Sequence, residues 1–324
     1  MSPSTTSRYV VGAYAASPSA GRWDPVLEGQ YFAALAADPR LGALELPWPG
    51  SLHAHDEEWL FANLPPHVDV VLTDVAHVFL TSRDRPRYGL ASTDEEGRAD
   101  AVEDARRLCD DVRRLNDRVG RSAARAVELH AGPRGDHAAA APLAASLAEI
   151  ASWSWDGADL VVEHCDALVP GREPEKGFLP LTDEIDAIRT SGAAVGLALN
   201  WGRSAIELRD PDRVVEHIAL ARDAGLLRGF VFSGASDSTE EYGRAWVDAH
   251  NRFRRSDEHP HGDPASLLTN ERARDCIAVL DPEVWLGVKM SWPAGVGTVD
   301  DRVAMIRQAL DTLDRARDGG TAQS

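Results

Sequence analysis

Short apolar runs alternate with longer segments of helical periodicity along the chain. After Thr93, apolar residues such as Val102, Ala105 and Leu108 recur at helical spacing. The run from Leu160 to Glu163 has no polar alternation, which is typical of a strand buried on both faces. By this criterion the chain has eight predicted strands, at residues 9–15, 43–46, 68–72, 124–130, 160–163, 195–199, 229–232 and 285–289.

The segments between the strands predict helices, and some of their ends are marked. Asp24 followed by Pro25 is typical of a helix start, and Thr93 with Glu96 three residues later forms a capping box. The predicted helices cover residues 24–36, 56–63, 93–119, 137–152, 181–190, 212–224 and 299–315. Residues 77–92 are predicted to be a long loop, a kind of segment that is usually functional or mobile.

No predicted strand follows another without an intervening helix. Right-handed βα units repeated in this way predict an α/β fold, a (β/α)8 TIM barrel forming a single domain over residues 1–324. An open doubly wound sheet is less favoured, because Gly12 alone does not make a glycine-rich dinucleotide turn. We expect flexible ends at residues 1–8 and 318–324.

A long excursion separates the seventh and eighth predicted strands. It spans more than 50 residues and includes the polar stretch 252–263. We predict that this stretch is an exposed loop between two helices.

Composition narrows the range of partners. The formal net charge of −18 argues against binding to nucleic acid or an anionic membrane, since both need clustered Lys and Arg. A small molecule, a carbohydrate or sugar acid, is the expected partner, and a homo-oligomer is compatible with the sequence. Three separated cysteines, no apolar leader and no run of membrane-spanning length predict a cytoplasmic protein.

Polar residues concentrate where the predicted strands end. Barrel enzymes draw their working groups from the carboxyl ends of the strands, so the set predicts an active site, although any single acid there would often be a structural ion-pair partner. The set comprises Tyr14, Glu45, Trp48, Thr73, Asp74, His77, Glu128, His130, Glu163, His164, Asp166, Asn200, Trp201, Arg203, Ser233, Lys289, Ser291 and Trp292.

Spacing within this set suggests acid–base partners. Glu128 and His130 lie two residues apart on one strand face, which predicts a base with its partner. Glu163 and His164 are neighbours, so only one of them faces the barrel interior. Cys165 beside His164 has the wrong geometry for a Cys–His pair and is predicted to be structural.

The order Glu163, Asn200-Trp201-Gly202-Arg203, Ser233 and Lys289 resembles the xylose-isomerase-like sugar isomerase and epimerase barrels. Nearly the whole chain is similar to an uncharacterised actinobacterial branch of that superfamily, a domain of unknown function. Those barrels hold a divalent metal through a Glu on strand five, an Asp-x-x-His on strand six, a His on strand seven and a Glu on strand eight. Only Glu163 and Gly202 match that pattern in identity.

The departures from the family pattern alter the expected chemistry. Asn200, Arg203, Ser233 and Lys289 replace metal ligands, and an ammonium at a ligand position repels a divalent ion. We therefore predict no metal there and no other cofactor, with a divalent metal as the alternative. The predicted catalytic residues are Glu163, Lys289, His130 and Glu128. The predicted substrate contacts are Glu45, Trp48, His164, Asn200, Trp201, Arg203, Ser233 and Trp292, the tryptophans stacking on sugar faces.

These residues leave four functions open. The first is an isomerase, epimerase or lyase acting on a carbohydrate or sugar acid without the usual metal. A glycoside hydrolase would use Glu163 with Glu128 or Glu45 as its carboxylate pair. An aldolase would use Lys289 as a Schiff-base nucleophile, which requires a lowered pKa. The fourth is a barrel that binds a sugar or a partner subunit without catalysis.

Overall fold

The computed structural model describes residues 8–239, 243–293 and 295–321. Parallel strands are hydrogen-bonded in chain order, and the first pairs with the last to close a barrel. The predicted (β/α)8 TIM barrel is therefore confirmed. The strands are β1 (Tyr9–Val11), β2 (Leu41–Pro47), β3 (Asp69–Thr73), β4 (Ala124–Leu129), β5 (Asp159–Glu163), β6 (Val195–Asn200), β7 (Leu227–Phe232) and β8 (Trp285–Val288).

Helices surround the barrel. They are α1 (Pro25–Ala36), α2 (Glu57–Asn63), α3 (Val75–Asp84), α4 (Glu95–Val119), α5 (Ala140–Ile150), α6 (Leu181–Ser191), α7 (Trp201–Leu208), α8 (Val214–Asp223), α9 (Asn270–Ile277) and α10 (Val299–Thr321). Short 3-10 turns lie at Ala13–Ala16, Gly135–His137 and Pro211–Arg213. No helix of the described residues is both long and apolar enough to cross a lipid bilayer.

The barrel interior changes character along its axis. Val10, Ala43, Val71 and Ala126 form a buried apolar cluster closed by Trp285. Side chains alternate along a strand, so the residue two positions further along faces the same way. On β2 and β4 that residue is a glutamate, and charge therefore begins directly above the apolar floor, towards the carboxyl ends of the strands.

Two predictions about local structure are wrong. Residues 75–84 form helix α3 where we predicted a loop over 77–92, and its N-terminal Asp74 directly follows β3. Helix α4 is capped by Asp94, whose side chain accepts from the Gly97 N–H, and not by Thr93. Helix α7 was not predicted, because it follows β6 with no intervening turn.

The excursion before β8 is also packed more closely than predicted. Within its described residues it contains one helix, α9, which follows the stretch 252–263. Arg252, Phe253, His259 and Asp263 in that stretch are buried, although residues 254–258 are exposed. The predicted flexible ends fall mainly on residues 1–7 and 322–324, outside the described part, while α10 continues past Asp318 to Thr321.

Candidate active site

A fully buried cluster of charged residues fills the barrel interior above the apolar floor. Glu45 on β2, Glu128 on β4, Glu163 at the end of β5 and Lys289 after β8 are all inaccessible to solvent. The Lys289 Nζ lies 2.5 Å from Glu45 Oε1 and 3.6 Å from Glu163 Oε1. Gly12 makes room for it, because a Cβ at this position would be 2.7 Å from Lys289 Cγ. The ammonium therefore lies between two carboxylates.

Glu163 is bound by two further cationic groups. Arg203 Nη1 lies 2.6 Å from Glu163 Oε2, and His130 Nε2 is 2.9 Å from the same oxygen. The other nitrogen of His130 is 2.6 Å from Asp74 Oδ1. His130 thus pairs with Asp74 and Glu163, and these bonds replace the predicted partnership with Glu128.

A second carboxylate, Asp248 from the excursion, extends the network. Its Oδ2 accepts from Arg203 Nε at 3.2 Å and from Lys176 Nζ at 3.1 Å. Its other oxygen lies 3.2 Å from His250 Nδ1, which in turn hydrogen-bonds to the Ser233 hydroxyl at 2.9 Å. Cations and carboxylates alternate through this network, which is how buried charges are compensated.

The two central glutamates titrate in opposite directions. Burial alone would raise the pKa of Glu163, but Arg203, Lys289 and His130 lower that pKa well below 4.5. Burial raises the pKa of Glu128 well above 4.5, and the charges of Glu163 and Glu45 raise it further. Of the two carboxyls, Glu128 therefore keeps its proton to the higher pH, and Glu163 loses its proton first.

The basic groups around these glutamates keep their protons. Burial lowers the pKa of Lys289, but the charges of Glu163 and Glu45 hold that pKa well above 10.5. Burial likewise lowers the pKa of His130, which contacts with Cys165, Asp74 and Glu163 then raise well above 6.5. The raised pKa and the two carboxylate partners favour the imidazolium form of His130, which has no free nitrogen to accept a proton.

Several buried polar atoms in this region have no hydrogen-bond partner among the described residues. They include both oxygens of Glu128, Oε2 of Glu45, Oε1 of Glu163, Nδ2 of Asn200 and Oγ1 of Thr73. Buried polar atoms are usually satisfied, and a concentration of unsatisfied ones is a mark of a binding site. A polyhydroxylated ligand supplies both donors and acceptors for such atoms.

The structure brings most of the predicted site residues together. Glu45, Glu128, Glu163, His130, Arg203 and Lys289 share the barrel interior. Asn200 uses its Oδ1 to accept from the Gly202 and Arg203 N–H groups, so it begins α7 and thereby positions Arg203. Ser233 lies at the edge of the network through His250.

His164 does not belong to this group, contrary to prediction. Its side chain points out of the barrel, where Nδ1 is 2.8 Å from Glu184 and Nε2 is 3.0 Å from Glu207. Strand alternation is the cause, because Glu163 takes the inward position. Cys165 contacts His130 and not its sequence neighbour His164.

The three predicted tryptophans do not share a rim. Trp48 is buried and donates from Nε1 to Asp111 of α4 at 2.7 Å, while Trp201 is buried against Cys276. Trp292 packs between Arg252 and Arg302 and donates to the Val296 carbonyl. Each follows a strand end, but the three contact different elements, so the structure does not bring them together for joint stacking on a sugar.

A cleft of about 240 Å³ opens beside the charged cluster. Tyr14 lines it and donates a long hydrogen bond of 3.4 Å from its hydroxyl to Glu45 Oε1. Trp23 lies in the same cleft and stacks on His55, with ring centroids 5.1 Å apart. Tyr14 therefore contacts both this aromatic cleft and Glu45.

Sequence reasoning missed several of these residues. Tyr14 and Asp74 were recognised as strand-end residues but given no role. Lys176, Asp248 and His250 lie in connections far from any predicted strand end, where the sequence carries no signal for them. The sequence signal that could have indicated the cleft was the histidine pair of His53-Ala54-His55, which lies against Trp23 in the structure.

The closed parallel barrel with its surrounding helices defines a (β/α)8 protein, and its fold is similar to that of xylose-isomerase-like barrels. An L-ribulose 3-epimerase structure matches with a TM-score of 0.54 and 14% identity, over 98% of each chain. A xylose isomerase domain-containing protein from Salmonella typhimurium LT2 matches with a TM-score of 0.58 and 12% identity, over 97% of this chain and 99% of that one. At these identities the likeness establishes the fold.

The chain belongs to the family described as a domain of unknown function, DUF4862, whose model matches residues 10–305. An uncharacterised protein from Salmonella typhimurium strain LT2 is 33% identical over 315 residues, covering 95% of this chain and 97% of that protein. The resemblance to a domain of unknown function is thereby confirmed, and the fold is the one that the xylose-isomerase-like resemblance implied. The actinobacterial placement stays a prediction.

Proposed function

We propose that this protein is an enzyme that converts a carbohydrate or sugar acid by proton transfer next to a carbonyl group, as sugar isomerases and epimerases do. The observation that carries the proposal is the opposite pKa shift of Glu128 and Glu163 in one buried cluster. Groups whose pKa values are pushed apart in one site are suited to act as acid and base. The L-ribulose 3-epimerase of the same fold supports the substrate class.

The geometry suggests a role for each group. The substrate carbonyl oxygen lies against the Lys289 ammonium, which stabilises the negative charge that develops there. Glu163 accepts a proton from the neighbouring carbon, and its basicity rises as Lys289 turns from Glu163 towards the substrate oxygen. Glu128, protonated at rest, donates the proton that completes the conversion. One C–H bond breaks and one new bond to hydrogen forms, so no oxidant is needed.

The donor set supports a mechanism without a metal in the barrel interior. Glu163 is the one ligand position of the related barrels that is kept as a carboxylate, and Arg203 and Lys289 already face it at 2.6 and 3.6 Å. Two like unit charges 4 Å apart repel by ~4 kcal/mol near a protein surface, and a divalent ion roughly doubles that figure. The residues present do not fit such an ion, and no step is assigned to one.

The same charges weigh against the aldolase and against the hydrolase that pairs Glu163 with Glu45. A Schiff-base lysine needs a lowered pKa, whereas the pKa of Lys289 is raised by Glu163 and Glu45 despite its burial. A hydrolase using Glu163 with Glu45 needs room for a sugar between the carboxylates, and Lys289 fills that space. A purely binding barrel has no need for the opposed acid and base pair of Glu128 and Glu163.

Exchange of the substrate hydrogen tests the proposal directly. The purified protein is incubated in D2O with EDTA and a panel of ketoses and sugar acids, and deuterium at the carbon next to the carbonyl is followed by NMR. We expect exchange with at least one member, lost in Glu128→Gln and Lys289→Met and retained in Glu149→Gln, an exposed glutamate of α5. Exchange in none of the panel, or exchange only with added Mg²⁺ or Mn²⁺, refutes the proposed mechanism.

A further inference from the structure

A second polar cluster lies behind the barrel wall. His164 follows β5 on its outer face, Glu207 is near the end of α7, and His217 lies on α8. One ligand atom from each of the three lies within 4.8 Å of the others. The two histidines are almost fully buried, and the Glu207 side chain is 12% exposed. The proposed sugar chemistry uses none of them.

The distances from each histidine to Glu207 are close to the edges of a metal coordination shell. His164 Nε2 lies 3.0 Å from Glu207 Oε2, and His217 Nε2 lies 3.6 Å from Glu207 Oε1. Zinc bonds of 2.0–2.1 Å in a tetrahedron place neighbouring ligand atoms about 3.3 Å apart. Each of these two distances is within a few tenths of an ångström of that value, and the ligand atoms of all three residues lie within 4.8 Å of one another.

The outer nitrogens of both histidines are already fixed by other side chains. His164 Nδ1 lies 2.8 Å from Glu184 Oε2, and His217 Nδ1 lies 3.1 Å from the Ser204 hydroxyl. A metal-binding histidine usually donates its second N–H to a carboxylate or another acceptor in this way, which turns the remaining nitrogen towards the ion. Glu184 is completely buried, and its other oxygen has no hydrogen-bond partner among the described residues.

The carboxylate is held in place too. Glu207 Oε2 accepts from the Ala167 N–H at 2.8 Å, which fixes the side chain of α7 against the segment after β5. Its partial exposure leaves one side of the cluster open to solvent. A fourth coordination position can therefore be taken by water, as in sites with three protein ligands.

We propose that His164, Glu207 and His217 form a binding site for a divalent transition metal of the zinc class. Two imidazoles and a carboxylate are ligands that suit Zn²⁺ and its neighbours better than Mg²⁺ or Ca²⁺. The ion links the end of β5 to α7, the helix that carries Arg203, and to α8, the next helix along the chain. This site is separate from the barrel interior and does not depend on the proposed function.

Metal binding to the intact protein tests the proposal. EDTA-treated protein is titrated with Zn²⁺ against a chromophoric chelator, and with Co²⁺, whose visible absorption reports tetrahedral coordination. We expect one equivalent to bind and the Tm to rise with added Zn²⁺, because a ligand that binds only the folded state stabilises it. Absence of Zn²⁺ binding by the wild type would show that the cluster is a hydrogen-bonded network only.

Graded variants separate ligands from their supports. His217→Gln and Glu207→Gln are expected to weaken Zn²⁺ binding by more than the ~100-fold that loss of a supporting residue can reach, and Glu184→Gln by ~10–100-fold. His259→Gln, which alters a buried histidine in the excursion, is the matched control and keeps full affinity. Circular dichroism establishes that each variant is folded. Unchanged affinity in His217→Gln and Glu207→Gln overturns the proposal.

A last variant distinguishes this site from the barrel interior. Glu163→Gln is expected to bind Zn²⁺ as the wild type does, whatever becomes of its sugar chemistry. If Glu163→Gln loses the metal while His217→Gln keeps it, the ion lies in the barrel interior. That result would refute both this site and the metal-free mechanism, whereas loss of deuterium exchange alone leaves the zinc site intact.

Discussion

Glu128 and Glu163 are equally buried on neighbouring strands, yet they serve different chemistry. The difference comes from what faces them: Glu163 meets Arg203, Lys289 and His130, and both Glu128 oxygens lack a hydrogen-bond partner among the described residues. In an interior of low dielectric, such neighbours dominate the protonation state. The residue type alone therefore says little about which carboxyl holds the proton.

Glu128→Gln should change how stability depends on pH. The folded pKa of Glu128 is raised above its ordinary value of 4.5, so its stabilising contribution is complete below that value and is lost as the pH rises through the folded pKa. We expect the variant to gain stability relative to the wild type as the pH rises from about 4.5, by ~1.4 kcal/mol for each unit of pKa shift.

Calorimetric Tm values across that range check this expectation. Glu149→Gln, on an exposed helix surface, should differ from the wild type by a nearly constant amount. A constant difference for Glu128→Gln as well would mean that its folded pKa is not raised.

Lys289→Met should destabilise the fold through the charges it leaves behind. Glu45 and Glu163 would remain buried without their shared ammonium, and breaking a buried ion pair costs about 3–5 kcal/mol. Adding Glu45→Gln removes one of these carboxylates, so the double variant should recover part of the loss. Urea unfolding measures both effects.

Arg118→Met provides the comparison for that experiment. Arg118 pairs with Glu58 on an exposed surface, and such pairs contribute ~0–1 kcal/mol. If the double variant is no more stable than Lys289→Met alone, the unpaired charge of Glu45 is not the cause of the destabilisation.

At the scale of elements, the excursion between β7 and β8 behaves as part of the barrel. Gly234 and Asn251 exchange backbone hydrogen bonds, and the Ser291 N–H donates to the His250 carbonyl. These bonds return the chain to the strand ends and place Asp248 beside Arg203. A segment that is polar in sequence is thus held down by its own backbone and supplies a site residue.

Asn251→Ala tests the rigidity of the excursion. The Asn251 side chain donates to Asp263 Oδ2 at 2.6 Å in a buried setting, and leaving such an acceptor unpaired costs about 1–3 kcal/mol. In the wild type we expect slow hydrogen exchange at residues 251 and 263, comparable to the barrel strands. The variant should exchange faster there, with the strands unaffected, as measured by mass spectrometry. Rapid exchange of this segment in the wild type would contradict the packing described.

At the scale of the whole molecule, the barrel follows from pattern alone. The eight apolar runs all form strands, because a strand with helices on one side and a filled interior on the other must be apolar along its length. Helix α3 escaped prediction because the polar residues 81–87 obscure the short apolar stretch before them. The local hydrophobic pattern predicts an element well where all of its residues are buried, as in the strands. It predicts an element poorly where buried and exposed residues are mixed, as in α3.

The site was predictable only in part, for a reason of distance along the chain. Glu45, Glu128, Glu163, Arg203 and Lys289 follow from strand ends, since the barrel brings all such ends to one face. Asp248 and His250 arrive through the excursion, and the orientation of each tryptophan depends on loop packing. The local sequence predicts neither the position of these two residues nor the orientation of the tryptophans, because both depend on contacts between segments that are remote in sequence.

The absence of a side chain at Gly12 ties two distant positions together in evolution. An added Cβ there would lie 2.7 Å from Lys289 Cγ and 2.9 Å from Lys289 Cβ, so any larger residue collides with the stem of the lysine. Shortening residue 289 removes the contact with Cγ but keeps the contact with Cβ, so position 12 stays a glycine unless position 289 loses its Cβ as well. A lineage can therefore exchange the charge at the centre of the barrel for another side chain while the glycine opposite it remains fixed.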